Sequence, residues 1–171
     1  TSEMPESMKS DFCITHFFNP VRFMRLLEIV KTPEFDETKM DGLLDFCQKE
    51  LGKGIVICND TPGFIGNRIG VYAMQVAMYE ALERGLPVEI ADALFGRPLG
   101  IPKTGVFGLY DLIGIDLMKD VLASFKKELQ PEDPFMDVVT PHPVVEALLG
   151  KGYTGNKGPG GFYETKIVDG E

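Results

Sequence analysis

The first third of the chain alternates between hydrophobic patterns that are typical of strands and of helices. Residues 12–18 place Ile14 and His16 on one face of a predicted strand and Cys13 and Phe17 on the other. Residues 26–31 are apolar on both faces, as in a sheet that is covered on both sides. The apolar run at residues 55–58 predicts a short third strand.

A helix is predicted between the second and third strands. Apolar residues recur there with helical spacing, at Met40, Leu43, Leu44, Cys47 and Leu51. Asp36 is placed as the N-cap, with Phe35 and Met40 as a hydrophobic staple, and Gly52 as the C-terminal stop.

The remainder of the chain is mostly helical in pattern. Residues 66–84 are apolar around most of a helical circumference, which is typical of a central or interfacial helix, and Gly85 ends it. Asp116 is predicted to cap a helix that runs to about Leu129. Shorter helices are predicted at residues 88–95 and 144–149, and irregular segments at 99–107, 131–143 and 151–161.

The change of pattern near residues 60–62 predicts two parts. Residues 1–60 are expected to form a mixed α/β domain, and residues 61–171 a mainly α-helical domain. A length of 171 residues is compatible with one domain or with a small lobe plus part of another.

The amino-acid composition argues against several classes of function. The net charge of -9 disfavours a nucleic-acid surface, since such surfaces neutralise phosphates with an excess of basic residues. No apolar run approaches the roughly 20 residues that span a bilayer. Cys13, Cys47 and Cys58 lie in apolar settings and are odd in number, which predicts free thiols in a reducing cytoplasm. The spacing of Cys and His residues predicts no metal site.

Two ionisable residues lie where the predicted strands favour apolar side chains. His16 is one of only two histidines, and Glu28 lies inside the run from Leu26 to Val30. A buried imidazole beside a buried carboxylate is a common general base near neutral pH. Two alternatives remain at this point: His16 is a core residue bonded to the backbone, or Glu28 points from an edge strand into solvent.

Three further polar residues have structural alternatives to a functional role. Asn67 lies at the predicted start of a helix, where asparagine often caps or packs. Asn19 precedes Pro20, as turn residues do. His142 lies between Pro141 and Pro143, which predicts an exposed loop position.

Several motifs in this order resemble the L-3-hydroxyacyl-CoA dehydrogenase family. They are His16-Phe17-Phe18-Asn19-Pro20, then Glu28, then the run from Asn59 through Thr61-Pro62-Gly63-Phe64 to Asn67-Arg68. The segment from Gly100 to Asp116 resembles the middle of the family's C-terminal domain, and Gly160-Gly161-Phe162-Tyr163 resembles its end. The resemblance covers nearly the whole chain.

The resemblance implies a fold and a reaction. The family joins a Rossmann-type NAD domain to a helical domain like the C-terminal domain of 6-phosphogluconate dehydrogenase. It implies oxidation of 3-hydroxyacyl-CoA to 3-ketoacyl-CoA with NAD in fatty-acid β-oxidation. His16 would be the base and Glu28 its partner. Asn67 and Asn19 would contact the acyl-CoA substrate, and Asn19 and Pro62 would lie near the cofactor.

The chain also departs from the family pattern. It has no Gly-x-Gly-x-x-Gly motif after a strand near its start, and the serine that the family places about twenty residues before its histidine has no match. The chain is therefore expected to be the end of the NAD domain plus the helical domain. Alone, it is expected to lack dehydrogenase activity because the main cofactor-binding elements are missing.

Two other functions are compatible with the pattern. The chain is alternatively an oligomerisation and substrate-closing module of a larger β-oxidation protein, and the apolar helix at residues 66–84 favours a homodimer or pseudo-dimer through the helical domain. A related β-hydroxyacid dehydrogenase is the other alternative. The His16–Glu28 spacing and the Asn67-Arg68 pair favour the hydroxyacyl-CoA group over it.

Overall fold

The computed structural model describes residues 5–101 and 103–164. It contains a three-stranded sheet followed by a mostly helical region, which confirms the predicted fold class. In chain order the elements are α1 (Glu6–Lys9), β1 (Cys13–Phe17), β2 (Leu26–Lys31), α2 (Glu37–Lys49), β3 (Gly54–Cys58), α3 (Gly66–Glu83), α4 (Val88–Leu94), α5 (Phe107–Ile113), α6 (Ile115–Glu128) and α7 (Pro143–Gly150). Short 3-10 turns lie at Arg97–Leu99 and Pro134–Asp137.

The chain divides into two compact units that meet in sequence at Ile69 and Gly70. The first unit contains the sheet with α1 and α2, and the second contains the helices from α4 onward. Helix α3 begins in the first unit and ends in the second.

The sheet of the first unit is mixed. Its order is β1-β2-β3, with β1 antiparallel to β2 and β2 parallel to β3. The parallel pair requires a crossover, which α2 supplies. Leu27 and Ile29 of β2 share a core with Met40 and Cys47 of α2. Because side chains alternate along a strand, Glu28 points to the sheet face opposite α2.

Helix α2 begins where the sequence predicted, and it ends at Lys49, two residues before the predicted end at Leu51. The carboxylate of Asp36 accepts a hydrogen bond from the Thr38 amide, 3.0 Å away, and so caps the first turn. Phe35 and Met40 are both buried in the core of this unit. Gly52 adopts φ +65°, a conformation that glycine tolerates without steric cost, just beyond the last turn.

The core of the second unit is formed by aromatic and aliphatic side chains of several helices. Its fully buried members include Met78 of α3, Phe107 and Tyr110 of α5, and Met118 and Leu122 of α6. The fully buried Gln75 is satisfied on both sides, since it accepts from the Tyr110 hydroxyl and donates to the Val138 carbonyl. A buried amide without such partners would be destabilising.

Two buried carboxylates organise the backbone of the second unit. Asp92 of α4 accepts the amides of Val106, Phe107 and Gly108 at 2.7–2.9 Å, so it caps the start of α5 from another helix. Asp111 accepts the amides of Phe162 and Tyr163, both at 2.9 Å. Burial raises the pKa of Asp111 despite these two amides, and the nearby charge of Asp92 raises it further.

Three sequence predictions for the second unit are corrected. Helix α5 occupies part of a segment for which no helix was predicted, because the carboxylate that caps it comes from α4. Asp116 does not cap α6: the N-cap is Gly114, and Asp116 lies in the first turn. His142 is 8% exposed rather than on the surface, and its ring lies edge-on to Tyr79 with 5.0 Å between centroids.

His142 is the N-cap of α7. Its Nδ1 accepts a hydrogen bond from the Val144 amide at 3.2 Å, and its Nε2 lies 3.3 Å from a Glu83 carboxylate oxygen. Burial of the ring is therefore compatible with hydrogen bonding at both nitrogens.

Among the residues that the structure describes, no helix combines the length and the apolar character that crossing a membrane requires.

We expect His142→Ala to lower the free energy of unfolding by about 1 kcal/mol or more, because the cap of α7 is lost. His142→Asn should be less destabilising, since asparagine retains an acceptor for the Val144 amide while it loses the contact with Tyr79. Chemical denaturation followed by circular dichroism measures both variants. Equal losses in the two variants would assign the effect to ring packing and not to the cap.

Candidate active site

His16 and Glu28 face each other across the antiparallel strands β1 and β2. The register places the two residues directly opposite, and His16 Nδ1 lies 2.7 Å from Glu28 Oε2. The Glu28 side chain is 1% exposed, whereas that of His16 is 29% exposed. The pair therefore has a buried carboxylate and an imidazole that reaches solvent. Both structural alternatives, a histidine bonded to backbone and a solvent-facing glutamate, are excluded.

The second oxygen of Glu28 is held by the start of helix α3. Glu28 Oε1 accepts the amides of Ile65 at 2.9 Å and Gly66 at 2.6 Å. These amides belong to the group of N–H donors at a helix start that have no partner within the helix. The positive end of the helix dipole also favours a carboxylate at this position.

These contacts keep Glu28 ionised despite its burial. Burial is the largest single influence and raises the pKa of the carboxyl. The hydrogen bonds from His16, Gly66 and Ile65 together outweigh burial, so the pKa of Glu28 lies below its usual range. An ionised carboxylate only accepts hydrogen bonds, so His16 Nδ1 is the donor. In the neutral ring, Nε2 then carries the lone pair and is the basic atom.

Two aromatic rings pack against the imidazole. The ring centroid of Phe18 lies 4.7 Å from that of His16, and the centroid of Phe64 lies 5.6 Å away, both edge-on. Phe64 has φ +47°, an unusual conformation for a residue with a side chain, in the turn that leads into α3. A Cβ atom on Gly66 would lie 2.5 Å from Phe18 Cζ, so the close approach of ring and helix depends on this glycine.

Cys58 is a neighbour of Glu28 that sequence reasoning did not connect with the site. Its Sγ lies 3.7 Å from Glu28 Oε1, and the residue is buried at the end of β3. Burial, followed by the charge of Glu28, raises the pKa of the thiol, so the sulfur is protonated and is a weak donor to the carboxylate. All three cysteines are free thiols. The alternation of strand residues was the available signal, because Cys58 lies two residues beyond Val56, which pairs with Glu28.

The other candidate residues lie on segments adjoining the pair. Asn19 is exposed and follows Phe18 beyond the end of β1. Asn67 is exposed and is the second residue of α3, next to Gly66. Pro62 is half-buried in the turn before α3. The amides of Ile65 and Gly66 were missed as site groups, since backbone donors leave no trace in residue type.

On a small mixed sheet that is followed by a helical unit, a buried carboxylate holds the Nδ1 atom of an imidazole, and a ring held in this way can accept a proton at Nε2. Sequence comparison specifies the family. A family model described as the NAD binding domain of 3-hydroxyacyl-CoA dehydrogenase matches residues 1–61, and one described as its C-terminal domain matches residues 63–165. The chain belongs to the 3-hydroxyacyl-CoA dehydrogenase family.

Individual relatives agree with this assignment. A putative fatty acid oxidation complex trifunctional enzyme of Rickettsia prowazekii is 39% identical over 168 residues, which are 98% of this chain and 23% of the relative. The mitochondrial hydroxyacyl-coenzyme A dehydrogenase of Mus musculus is 39% identical over 157 residues, 91% of this chain and 48% of the relative. The chain thus spans about half or less of the length of these relatives.

Solved structures share the fold. The crystal structure of M. tuberculosis FadB2 matches with a TM-score of 0.74 and 30% identity, over 89% of this chain and 51% of that one. The (S)-3-hydroxybutyryl-CoA dehydrogenase PaaH1 from Ralstonia eutropha matches with a TM-score of 0.69 and 30% identity, over 90% of this chain and 52% of that one.

The lowered pKa of Glu28 predicts a specific dependence of stability on pH. A carboxyl whose pKa is lower in the folded state stabilises the fold above its unfolded pKa of about 4.3, and this contribution is lost as the pH falls through the folded pKa. We expect Glu28→Gln to destabilise the protein by about 1–3 kcal/mol at pH values of about 5.5. The difference from the unmodified protein should shrink on acidification to about pH 3.

Urea denaturation at a series of pH values measures this difference. Glu37→Gln is the matched control, because Glu37 is an exposed glutamate that pairs with Lys31 at the surface. A destabilisation by Glu28→Gln that stayed constant across this pH range would contradict the assignment of an ionised, hydrogen-bonded carboxylate.

Proposed function

We propose that the protein containing this chain oxidises (S)-3-hydroxyacyl-CoA to 3-ketoacyl-CoA with NAD, in fatty-acid β-oxidation. The observation that supports this most directly is the His16–Glu28 pair, in which Nδ1 is engaged by the carboxylate and Nε2 is the basic atom. The family membership and the names of the relatives support the same reaction.

In the proposed reaction, His16 Nε2 takes the proton of the substrate's 3-hydroxyl group. When bound, NAD would supply the acceptor for the hydride of C3, so the alcohol would become a ketone by losing one proton and one hydride in total. The proton remains on the ring as an imidazolium until it is released to solvent, which the partial exposure of His16 permits.

Glu28 is the proposed partner of the base. The carboxylate fixes the ring orientation and the Nδ1–H tautomer, and its charge stabilises the imidazolium that forms. Its own charge is stabilised by the amides of Ile65 and Gly66, which would remain in place through the reaction.

We propose that Asn67 and Asn19 contact the substrate. We also propose that Asn19 and Pro62 lie near the cofactor. The exposed positions of both asparagines, on segments that adjoin Gly66 and Phe18, support these roles. An amide donor at the 3-oxygen or at the thioester carbonyl would stabilise the charge that develops there.

Two turns of this chain lack the features that hold the pyrophosphate of NAD in dinucleotide-binding folds. The β2–α2 turn, residues 32–36, has no glycine, and the amides at the start of α3 are occupied by Glu28. Helix-start amides are the usual pyrophosphate donors in dinucleotide-binding folds. Neither of these two turns therefore combines a glycine with free helix-start amides for a pyrophosphate.

We propose a division between sequence domains at residues 60 and 61, nine residues before the boundary between the two compact units. Residues 1–60 would be the end of the NAD domain, and residues 61–171 the helical domain. The family models support this, since one ends at residue 61 and the other begins at residue 63. We also propose a cytoplasmic protein, which the three free thiols support.

His16→Gln should lower kcat of the complete protein about 10²–10⁴-fold, because the proton acceptor is lost while a polar side chain remains. Glu28→Gln should also lower kcat, since an amide cannot stabilise the imidazolium. NADH formation from 3-hydroxybutyryl-CoA measures both effects, with Glu37→Gln as the control. Full activity in His16→Gln would refute the proposed role of the base.

We propose in addition that the helical domain forms a homodimer or pseudo-dimer. Exposed apolar residues on α4 and just before it support this: Ile90 is 50% exposed, Leu94 54%, and Leu86, in the connection that precedes α4, 37%. The spacing of Ile90 and Leu94, four residues apart, places them on one helical face. Patches of this kind are typical of protein interfaces.

Ile90→Glu combined with Leu94→Glu should convert a dimer to a monomer, because burial of unpaired carboxylates opposes association. Sedimentation velocity over a range of protein concentrations measures the change. The exposed Lys126→Glu is a control on α6. A chain that sediments as a monomer before substitution, at the highest concentration, would contradict the dimer.

A further inference from the structure

Lys53, between α2 and β3, contacts the loop that follows β1. Its Nζ donates hydrogen bonds to the carbonyl oxygens of Val21 at 2.5 Å and Met24 at 2.8 Å. The same ammonium group lies 5.7 Å from the centre of the Phe17 ring. One side chain thus joins the last residue of β1 to the loop beyond it.

The loop contacted by Lys53 contains a single helical turn. The amides of Phe23 and Met24 both donate to the Pro20 carbonyl, at 2.9 and 3.0 Å. The carbonyls at the end of such a turn have no partner within it, and a cation there is stabilising. Lys53 supplies that cation from a distant part of the sequence.

The backbone around Lys53 is held by hydrogen bonds, whereas the side chains of the loop are largely exposed. The Lys53 amide donates to the Cys47 carbonyl at the end of α2, and the Gly54 amide donates to the Arg25 carbonyl. By contrast, Phe23 is 75% exposed, and Val21 and Met24 are at least 40% exposed. Apolar packing therefore contributes little to the order of this loop, and polar contacts to its backbone contribute more.

The loop begins at the proposed site. Phe18, whose ring contacts His16, leads directly to Asn19, the proposed contact of substrate and cofactor. We propose that Lys53 is a positioning residue that holds the loop of residues 19–25 so that Asn19 is ordered for ligand binding. This inference rests on the proposed function, because it assigns the loop a part in binding the reactants. Lys53 itself touches neither His16 nor Glu28 in the contacts above, so the base should be unaffected.

The first test measures loop order without any substrate. Hydrogen exchange of the Phe23 and Met24 amides is compared in the 171-residue chain and in Lys53→Met, which keeps the aliphatic stem but loses the donors. We expect exchange at these two amides to be about tenfold faster, the factor that corresponds to about 1.4 kcal/mol. Lys53→Arg should restore protection, since a guanidinium also donates to two carbonyls. Lys49→Met is the control, because Lys49 pairs only at the surface with Asp45 in the contacts described.

The second test measures kinetics of the complete protein with NAD and 3-hydroxybutyryl-CoA. Lys53→Met should raise KM for one or both reactants about tenfold. The pH dependence of kcat should stay unchanged, because the His16–Glu28 pair is intact. A general loss of folded structure would instead lower the amount of active enzyme and leave KM as it was.

Unchanged exchange at Phe23 and Met24 in Lys53→Met would overturn the proposal, as would faster exchange with unchanged KM values. An altered pH profile of kcat would also overturn it, since Lys53 would then act on the base. Failure of the proposed function is a separate outcome: it would be seen as full activity in His16→Gln, and the exchange experiment would still decide whether Lys53 holds the loop.

Discussion

The buried carboxylate of Glu28 is the interaction on which the first unit and its site depend. An ionised carboxylate on the central strand of a sheet is strongly destabilising unless its charge is compensated. One oxygen is compensated by His16 and the other by the first amides of α3. The strand pairing, the start of the long helix and the orientation of the His16 ring are therefore parts of one hydrogen-bonded arrangement.

Side chains and backbone have different roles in this arrangement. The side chains of His16 and Glu28 carry the proposed chemistry, whereas the donors that keep Glu28 charged are peptide groups. Backbone donors that are fixed by a helix need little reorganisation when charge moves on the imidazole. At Lys53 the charges are reversed. A side-chain cation donates there to the backbone carbonyls of Val21 and Met24, whereas at Glu28 a side-chain anion accepts from backbone amides.

Sequence patterns predicted the first unit well because its signals are local. The N-cap at Asp36 and the stop at Gly52 depend on neighbouring residues only, and both are found as predicted. The pairing of His16 with Glu28 was suggested by two polar residues in apolar strands, and the antiparallel register brought them together. The role of Asp92 in starting α5 was missed, because the capping carboxylate and the capped amides are 14 or more residues apart.

The histidines illustrate the same limit. His142 lies between two prolines, a local pattern that indicates an exposed loop, yet its ring is buried against Tyr79 from a remote helix. Burial that is created by tertiary packing overrides the local signal. The fully buried Gln75 is a similar case, since its partners Tyr110 and Val138 lie 35 and 63 residues away.

Because His16 and Glu28 lie directly opposite each other on paired strands, their hydrogen bond forms only when β1 and β2 pair in the correct register. Side chains alternate between the two faces of a sheet, so a slip of one residue between β1 and β2 would send the imidazole and the carboxylate to opposite faces. A misregistered molecule could retain three strands and its helices and yet have no imidazole held by the carboxylate. The fraction of folded molecules that contain the His16–Glu28 pair would then report how accurately this one strand pair forms.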